Sequence, residues 1–365
     1  MHFISLAAVE IPEITENEDQ NRVVKQKIQE LKAQLAQDDE NIVLKCMIER
    51  YSMLTTEFAR EVDSAVEEVM YPYCVNMEDR TYLEFEDHSD ELKDSYENEK
   101  SDCIRLPDGR IISFASYVPW NRFVIKDGKV YQKCAGQLRH AKRTKKAKKL
   151  KALPSYPLKK QFKSLDDYAE YFGTPFDEEQ QKYGYWSNPN AMWDWYSIGG
   201  IWPNMFLVKD TCKEFSLGEG NWDNMNEVYE APEGYLWVCA ARKKDIEWQQ
   251  MQNWKRDKLA NLFLKLKKMF ENGQVDEDFT GVITDSGIMQ YNTEIYHHGD
   301  SLDMFLASRR YPSEWKYPLV IHDFVSKEGW KSGDDVKGYD WNKQIDEFVD
   351  SLSDDAVLVG VDYHL

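Results

Sequence analysis

The chain has 365 residues, 42% hydrophobic and 13% aromatic, with a formal net charge of −19. That is enough apolar material for one large or two moderate domains, and too much for wholesale disorder. So acidic a surface repels phosphate and argues against passive coating of DNA.

In chain order, the apolar run 3–9, bounded by Glu10 and Pro12, predicts a buried strand. Val24, Ile28, Leu31 and Leu35 form one stripe of a charged helix, which Asp38, Asp39, Glu40 and Asn41 break. A second helix follows with Val43, Met47, Leu54, Phe58, Val62, Val66 and Val69 on its apolar side, ending before Tyr71-Pro72. Together they predict an antiparallel helical hairpin. Residues 78–102 hold eleven acids against three bases and read as a solvated face, with phosphate mimicry as the alternative. Residues 104–134 read as a small β unit containing a tight hairpin at Asp127-Gly128. Residues 139–151 then carry eight Lys/Arg and no acid, which leaves the remainder at 38 bases against 65 acids, or −27.

Beyond Pro154 and Pro157, Ser164 and Gly173 bracket a short helix. Strands are predicted at 205–208, 235–241, 280–289 (a pair turning at 285–287), 318–324 and 356–361. Helices are predicted from Asp245 to Asn272-Gly273 and over 341–352. Strands and helices alternate without a strict βαβ rhythm, which defines an α+β chain: an N-terminal helical hairpin with a small β unit, then a mixed α+β C-terminal domain. The division expected is 1–138, a basic linker or helix over 139–160, and an aromatic-rich domain over 161–365. No stretch approaches the roughly 20 apolar residues of a membrane span, and the first residues lack a basic leader. Cys46, Cys74, Cys103, Cys134, Cys212 and Cys239 contain no C-x-x-C pair, against a zinc ribbon or a redox dithiol. A cytoplasmic protein with reduced thiols and no membrane contact is expected.

Chemistry is most concentrated in 183–203, which holds four of the twelve tryptophans. Gly199 and Gly200 permit close backbone approach. Flanked by Trp193, Trp195, Tyr196 and Trp202, they can form a floor for a planar group, with Asp194 reading an amine or a ribose hydroxyl. Base–aromatic stacking is worth about 1–3 kcal/mol per base, so two rings would anchor a nucleotide. The competing reading is a local hydrophobic core, with indole N–H groups tied to Asp194 or to the backbone.

Asn188-Pro189-Asn190-Ala191-Met192-Trp193-Asp194-Trp195-Tyr196, then Gly199-Gly200 and Trp202, resembles the N-P-x-x-K-W-D-W-Y-x-x-G-G-R-W signature of a family of uncharacterised phage and prophage proteins. Residues 240–248 and the ending Val361-Asp362-Tyr363-His364-Leu365 are similar to further regions of that family. The resemblance covers roughly residues 183–365 and implies a viral or mobile-element origin, without a reaction. The chain departs from the signature at Met192 (usually Lys), Ile201 (usually Arg) and Tyr363 (usually Cys), which weakens any phosphate clamp built from side chains at this segment.

The second candidate is the basic tract Arg139, Lys142, Arg143, Lys145, Lys146, Lys148, Lys149 and Lys151. Its cations surround a helix instead of forming one stripe, so it is no amphipathic membrane anchor. They can contact nucleic-acid phosphates, RNA included, or neutralise the chain's own acidic segment. The third is a set of His/Asp neighbours: His297-His298 with Asp300, His322-Asp323, and Asp362 with His364, of which only the last two share a strand face. None has metal-ligand spacing, and His364 reads as simply surface. No nucleotide-binding loop, nucleophile elbow or kinase set is present, so neither cofactor nor metal is expected and the chain leans away from enzymes. The function expected is a phage-derived, non-catalytic binding protein: a counter-defence or host-takeover factor engaging a host protein or nucleoprotein, such as an RNA-guided CRISPR effector, in the bacterial cytoplasm. The alternatives are a nucleotide-binding or nucleotide-hydrolysing protein with its pocket at Trp193–Trp202, and a virion structural component.

Overall fold

The computed structural model of the chain describes residues 1–14, 18–37, 41–113, 123–132, 143–202, 204–218, 229–290, 293–308, 316–334, 336 and 338–365. The chain is mixed α+β and divides into two compact units, Met1–Asn76 with Asn190–Leu365, and Met77–Pro189. The sequence-based boundaries at 138 and 161 do not coincide with these. The first strand, His2–Val9, pairs along its whole length with the last, Val357–His364, so both ends of the chain share one sheet. The expected linker contains a strand, Lys151–Pro157, hydrogen-bonded to Lys100–Arg105.

The larger unit is built on a seven-stranded sheet. Its main path runs Ser216–Leu217, Ala240–Arg242, Val357–His364, His2–Val9, Asp323–Ser326, Gly329–Ser332. The pairing of His2–Val9 with Asp323–Ser326 is parallel; the other pairings in this sheet are antiparallel. One edge of the last strand is divided between two partners: Ala240–Arg242 takes residues 357–359 and Trp195–Ile198 takes 361–364. Gly360 stands at the handover, where its N–H donates to Cys239 O and its carbonyl accepts from Gly199 N–H. A Cβ there would lie 2.7 Å from Met205 Sδ.

The two central strands read as continuous apolar runs because both sheet faces are covered. Ile4, Leu6, Ala8 and Leu358 pack with Met251, Trp341, Ile345 and Val349 of the helices Trp248–Asn272 and Gly338–Ser351. On the other face Ala7, Val9, Val357, Val359 and Val361 meet Phe58, Ala59, Val62, Val66 and Met70 of the helix Glu57–Met70. Each of these large side chains contributes about 1.5–3 kcal/mol by leaving water. The far half of the long helix packs through Phe263, Leu266 and Met269 on the three-stranded sheet spanning Val282–His297 and the helix Leu302–Ser308.

Several expected elements are corrected. The second helix is two, Ile42–Met53 and Glu57–Met70, because Thr56 is extended and its hydroxyl accepts from Ala59 N–H to start a new helix. Val43 and Met47, assigned to the apolar side, are exposed. The long helix begins at Trp248, since Asp245 lies in a 3₁₀ turn and pairs with Arg242 at 2.6 Å. The strand expected at 318–324 starts at Asp323. The strand expected at 235–241 is two: Tyr235–Val238 pairs with Phe206–Lys209, and Ala240–Arg242 joins the main sheet. The break expected at Asp38, Asp39 and Glu40 lies outside the described residues.

Among its described residues the smaller unit holds two three-stranded sheets and a hairpin. Glu84–Asp87, Lys182–Ser187 and Phe176–Asp177 form one; Ile111–Ser113, Lys100–Arg105 and Lys151–Pro157 form the other. The hairpin Phe123–Lys126/Lys129–Gln132 turns at Asp127-Gly128, both with positive φ. The acidic segment contributes a strand and the helix Ser89–Asn98, whose Leu92 is buried beside Cys103, Leu158 and Tyr168. Ser164 Oγ caps the helix Leu165–Tyr171 and Gly173 follows it at φ +75°.

Candidate functional site

Strand alternation sorts the aromatic motif before any ligand is considered. Trp195–Ile198 pairs antiparallel with the last strand in the register Trp195↔His364, Tyr196↔Tyr363, Ser197↔Asp362, Ile198↔Val361. Cross-strand partners share a face, so Tyr196 and Ile198 join Tyr363 and Val361 in the apolar layer over Glu57–Met70. Trp195 and Ser197 share the opposite face with His364 and Asp362. Trp193 is fixed by its indole N–H, which donates to Met70 O at 2.9 Å, and its ring meets Tyr196 edge-on at 4.8 Å. The expected stacking floor of Trp193, Trp195, Tyr196 and Trp202 is therefore not assembled: Trp193 and Tyr196 are half-buried against the core, and of the four Trp195 alone is exposed, at 37%.

What Gly199-Gly200 approaches is a carboxylate of the protein itself. Gly199 and Gly200 turn the chain with φ +72° and +58°, and a Cβ on Gly200 would lie 2.3 Å from Asp362 Cβ. The turn aims Ile201 N–H at Asp362 Oδ2 (3.1 Å) and Trp202 Nε1–H at Oδ1 (3.0 Å), the latter also reaching Phe3 O at 3.2 Å. His2 Nδ1 completes the shell, 3.0 Å from Oδ1. Burial pushes the Asp362 carboxyl above the ordinary carboxylate range, against the opposing pull of Ile201 N–H, His2 and Trp202. Asp194 makes a parallel arrangement: its N–H donates to His364 O at 2.9 Å, and its carboxylate lies 3.0 Å from His364 Nδ1.

The outcome is two imidazoles, each with Nδ1 held by a carboxylate, on directly paired residues of neighbouring strands. Their ring centroids are 5.7 Å apart, and Trp195 meets His2 edge-on at 6.0 Å. A carboxylate on Nδ1 sets the tautomer and leaves Nε2 for proton exchange, the arrangement general acid–base chemistry uses. Asp194 is thus oriented toward a histidine and not toward a ligand amine. His2 escaped the sequence reading because it lies 360 residues from Asp362, and only the pairing of the first strand with the last sets it opposite His364.

Of the other histidines named from the sequence, His297, His298 and His322 are not brought to this cluster. His322 Nδ1 accepts from Ile4 N–H at 3.4 Å, and the buried Asp323 accepts from the Tyr363 hydroxyl. His297 lies 3.5 Å from Glu294 and 4.0 Å from Asp300, while His298 stacks on Phe270. Among the described residues no group of three or more His, Cys, Asp or Glu is placed to hold a metal ion. No helix among them is long and apolar enough to cross a membrane.

Of the basic tract, Arg139 and Lys142 lie outside the described residues. The rest does not form the linker or helix expected. Thr144 Oγ1 accepts from Ala147 N–H to start the 3₁₀ turn Ala147–Lys149, and Ala147 is buried with Ile104, Phe123 and Val130. This anchor leaves Arg143, Lys145, Lys146, Lys148, Lys149 and Lys151 exposed, and none of the six makes an ion pair among the described residues. Neutralisation by the acidic segment is not what these six do: the segment's Asp87 pairs with Lys182, its Glu97 with Lys159, and its Glu86 and Glu91 flank His88. Charge is also divided by unit. Met77–Pro189 carries 21 Lys/Arg against 19 Asp/Glu, net +2, which leaves −21 for the larger unit.

Comparison of the chain with protein-family models, with curated proteins and with solved structures finds no match.

Proposed function

We propose that this is a phage-derived, non-catalytic binding protein, a counter-defence or host-takeover factor that engages a host nucleoprotein such as an RNA-guided CRISPR effector. The observation that carries the reading is the anchored basic segment: six exposed cations held on a buried Ala147 and left without acidic partners among the described residues. A tract that served only solubility would gain nothing from such an anchor. The larger unit, at −21, is suited to protein surfaces and repels phosphate, so contact with nucleic acid falls to the smaller unit. The signature at residues 188–202 supports the viral origin. Replacing Arg143, Lys145, Lys146, Lys148, Lys149 and Lys151 together by Gln removes up to six phosphate contacts. At roughly 0.7 per contact on a single strand, the slope of log K against log salt should fall by about 4. An unchanged slope and affinity overturns the reading.

A second reading, a nucleotide-handling protein, is favoured by the His2–His364 pair beside the exposed Trp195. It requires a thermal shift with a mononucleotide that is lost in His364→Ala; no shift across a nucleotide panel ends it.

A further inference from the structure

The smaller unit contains a cleft of about 650 Å³, within the range of small-ligand sites. Phe162, Tyr171 and Phe172 line it, together with Lys100, Lys160 and Ile111. Two of its rings stand outside the core. Tyr171 and Phe172 are 56% and 47% exposed, stand edge-to-face at 5.0 Å, and are buttressed by Phe162 and by the buried Tyr168, whose ring lies 4.6 Å from Phe172. Ser164 and Gly173 hold the short helix that presents them. A pair of exposed rings fixed from behind is a stacking platform with its ordering entropy already spent.

The cleft is connected to the basic segment by the register of the second sheet. Ile111, which lines the cleft, is opposite Arg105, and Arg105 is opposite Lys151. Cross-strand partners point to the same face, and this is the face of Leu92, Cys103, Leu153 and Leu158, on which Tyr168 and Phe162 also pack. Two strand spacings, about 10 Å, separate the backbone of Lys151 from that of Ile111. Arg105 and Lys151 therefore share the surface of the rings, whereas the turn Ala147–Lys149 packs with Ile104 and Ala152 on the other face of this sheet, next to its edge strand Lys151–Pro157. The cleft itself is balanced, with Lys100 and Lys160 against Glu99 and Asp167, so phosphate is not favoured inside it. The carboxylates are already oriented: Glu99 accepts from the Tyr168 hydroxyl at 3.0 Å and Asp167 from Lys163 N–H at 2.9 Å, and their remaining lone pairs suit an exocyclic amine.

We infer that this unit binds single-stranded nucleic acid, with an amine-bearing base stacked on Tyr171 and Phe172, phosphates on Arg105 and Lys151, and the backbone continuing over the edge strand Lys151–Pro157 onto the segment 143–149. The inference rests on the reading of the basic segment as the nucleic-acid contact and adds strand state and base recognition to it. A duplex keeps its bases stacked on one another and offers no free face to these rings.

The test is fluorescence anisotropy of a labelled twelve-nucleotide oligoadenylate, titrated with the full-length protein at several salt concentrations. Tyr171→Ala with Phe172→Ala should weaken binding at least tenfold and leave the salt slope unchanged. Tyr171→Trp with Phe172→Trp should restore it. The six-fold Gln variant should lose the slope. If the aromatic variant binds like the wild type, or a blunt duplex of the same length competes as well as the single strand, the inference fails while the basic-segment reading stands. If the Gln variant retains both affinity and slope, or the wild-type protein binds no oligonucleotide, both fail. Circular dichroism distinguishes lost binding from lost folding, which substitution at two exposed rings should not cause.

Discussion

Gly200→Ala tests whether the Gly-Gly turn exists to receive Asp362. The residue sits at φ +58°, where an L side chain costs about 1–2 kcal/mol. The added Cβ would also lie 2.3 Å from Asp362 Cβ and 2.4 Å from its Oδ2, with no flexible side-chain end to give way. Asp362 must shift, and losing one hydrogen bond to its carboxylate, from Ile201 N–H or Trp202, costs a further 1.5–3 kcal/mol or so. The expected loss is therefore about 2.5–5 kcal/mol. Gly273→Ala is the control within the same unit: φ is +64°, and nothing lies within 4 Å of the added methyl. It should lose only the backbone share, about 1–2 kcal/mol. Urea unfolding followed by tryptophan fluorescence measures both. Equal losses in the two variants would show that the collision with Asp362 contributes nothing, and the account of the motif would be wrong.

Asp323 gives a pH-dependent expectation. Burial raises its carboxyl above the ordinary 3.8, against the pull of the Tyr363 hydroxyl and Ser332. Between that ordinary value and the raised one, the folded chain holds the proton more tightly than the unfolded chain, so stability falls as pH rises through the window. Asp323→Asn has no proton to lose. The stability of the wild type relative to this variant should decline from pH 4 to pH 7; a flat or rising difference refutes the sign. Thiol reactivity supplies a further check. Burial pushes Cys103 up to about 11 and Cys239 up to about 12, whereas Cys74 and Cys212 are half-buried. Maleimide at pH 7.5 should label Cys74 and Cys212 in the native protein and reach Cys103 and Cys239 only after denaturation, as peptide mass spectrometry would show.

Local physics made much of the fold readable. The runs at His2–Val9 and Val357–His364 are apolar on successive residues because both faces are covered, and that pattern is visible without knowing what covers them. Gly173, Gly273 and Asp127-Gly128 announce their turns through positive φ angles that few residue types tolerate, and Ser164 announces its helix through a hydroxyl that accepts from Asp167 N–H. Where the reading failed, a nearby competitor prevailed. Thr56 offered a cap inside a stretch whose apolar spacing continues through it. The run at 318–324 was apolar enough for a strand, but only Asp323 onward finds a partner in Ser5–Ala7.

The site divides along the same line. Composition and spacing by themselves determined that residues 183–203 and 139–151 stand apart, that Gly199-Gly200 permits a close approach, and that positive charge concentrates in one place. What the glycines receive, Asp362, and which side chain meets it from the far end of the chain, His2, depended on register between strands hundreds of residues apart. Likewise the rings of Tyr171 and Phe172 are an unremarkable helix end in the sequence. They join Arg105 and Lys151 on one surface only because strand pairing puts those positions on one face, and sequence-local forces carry no information about such pairing.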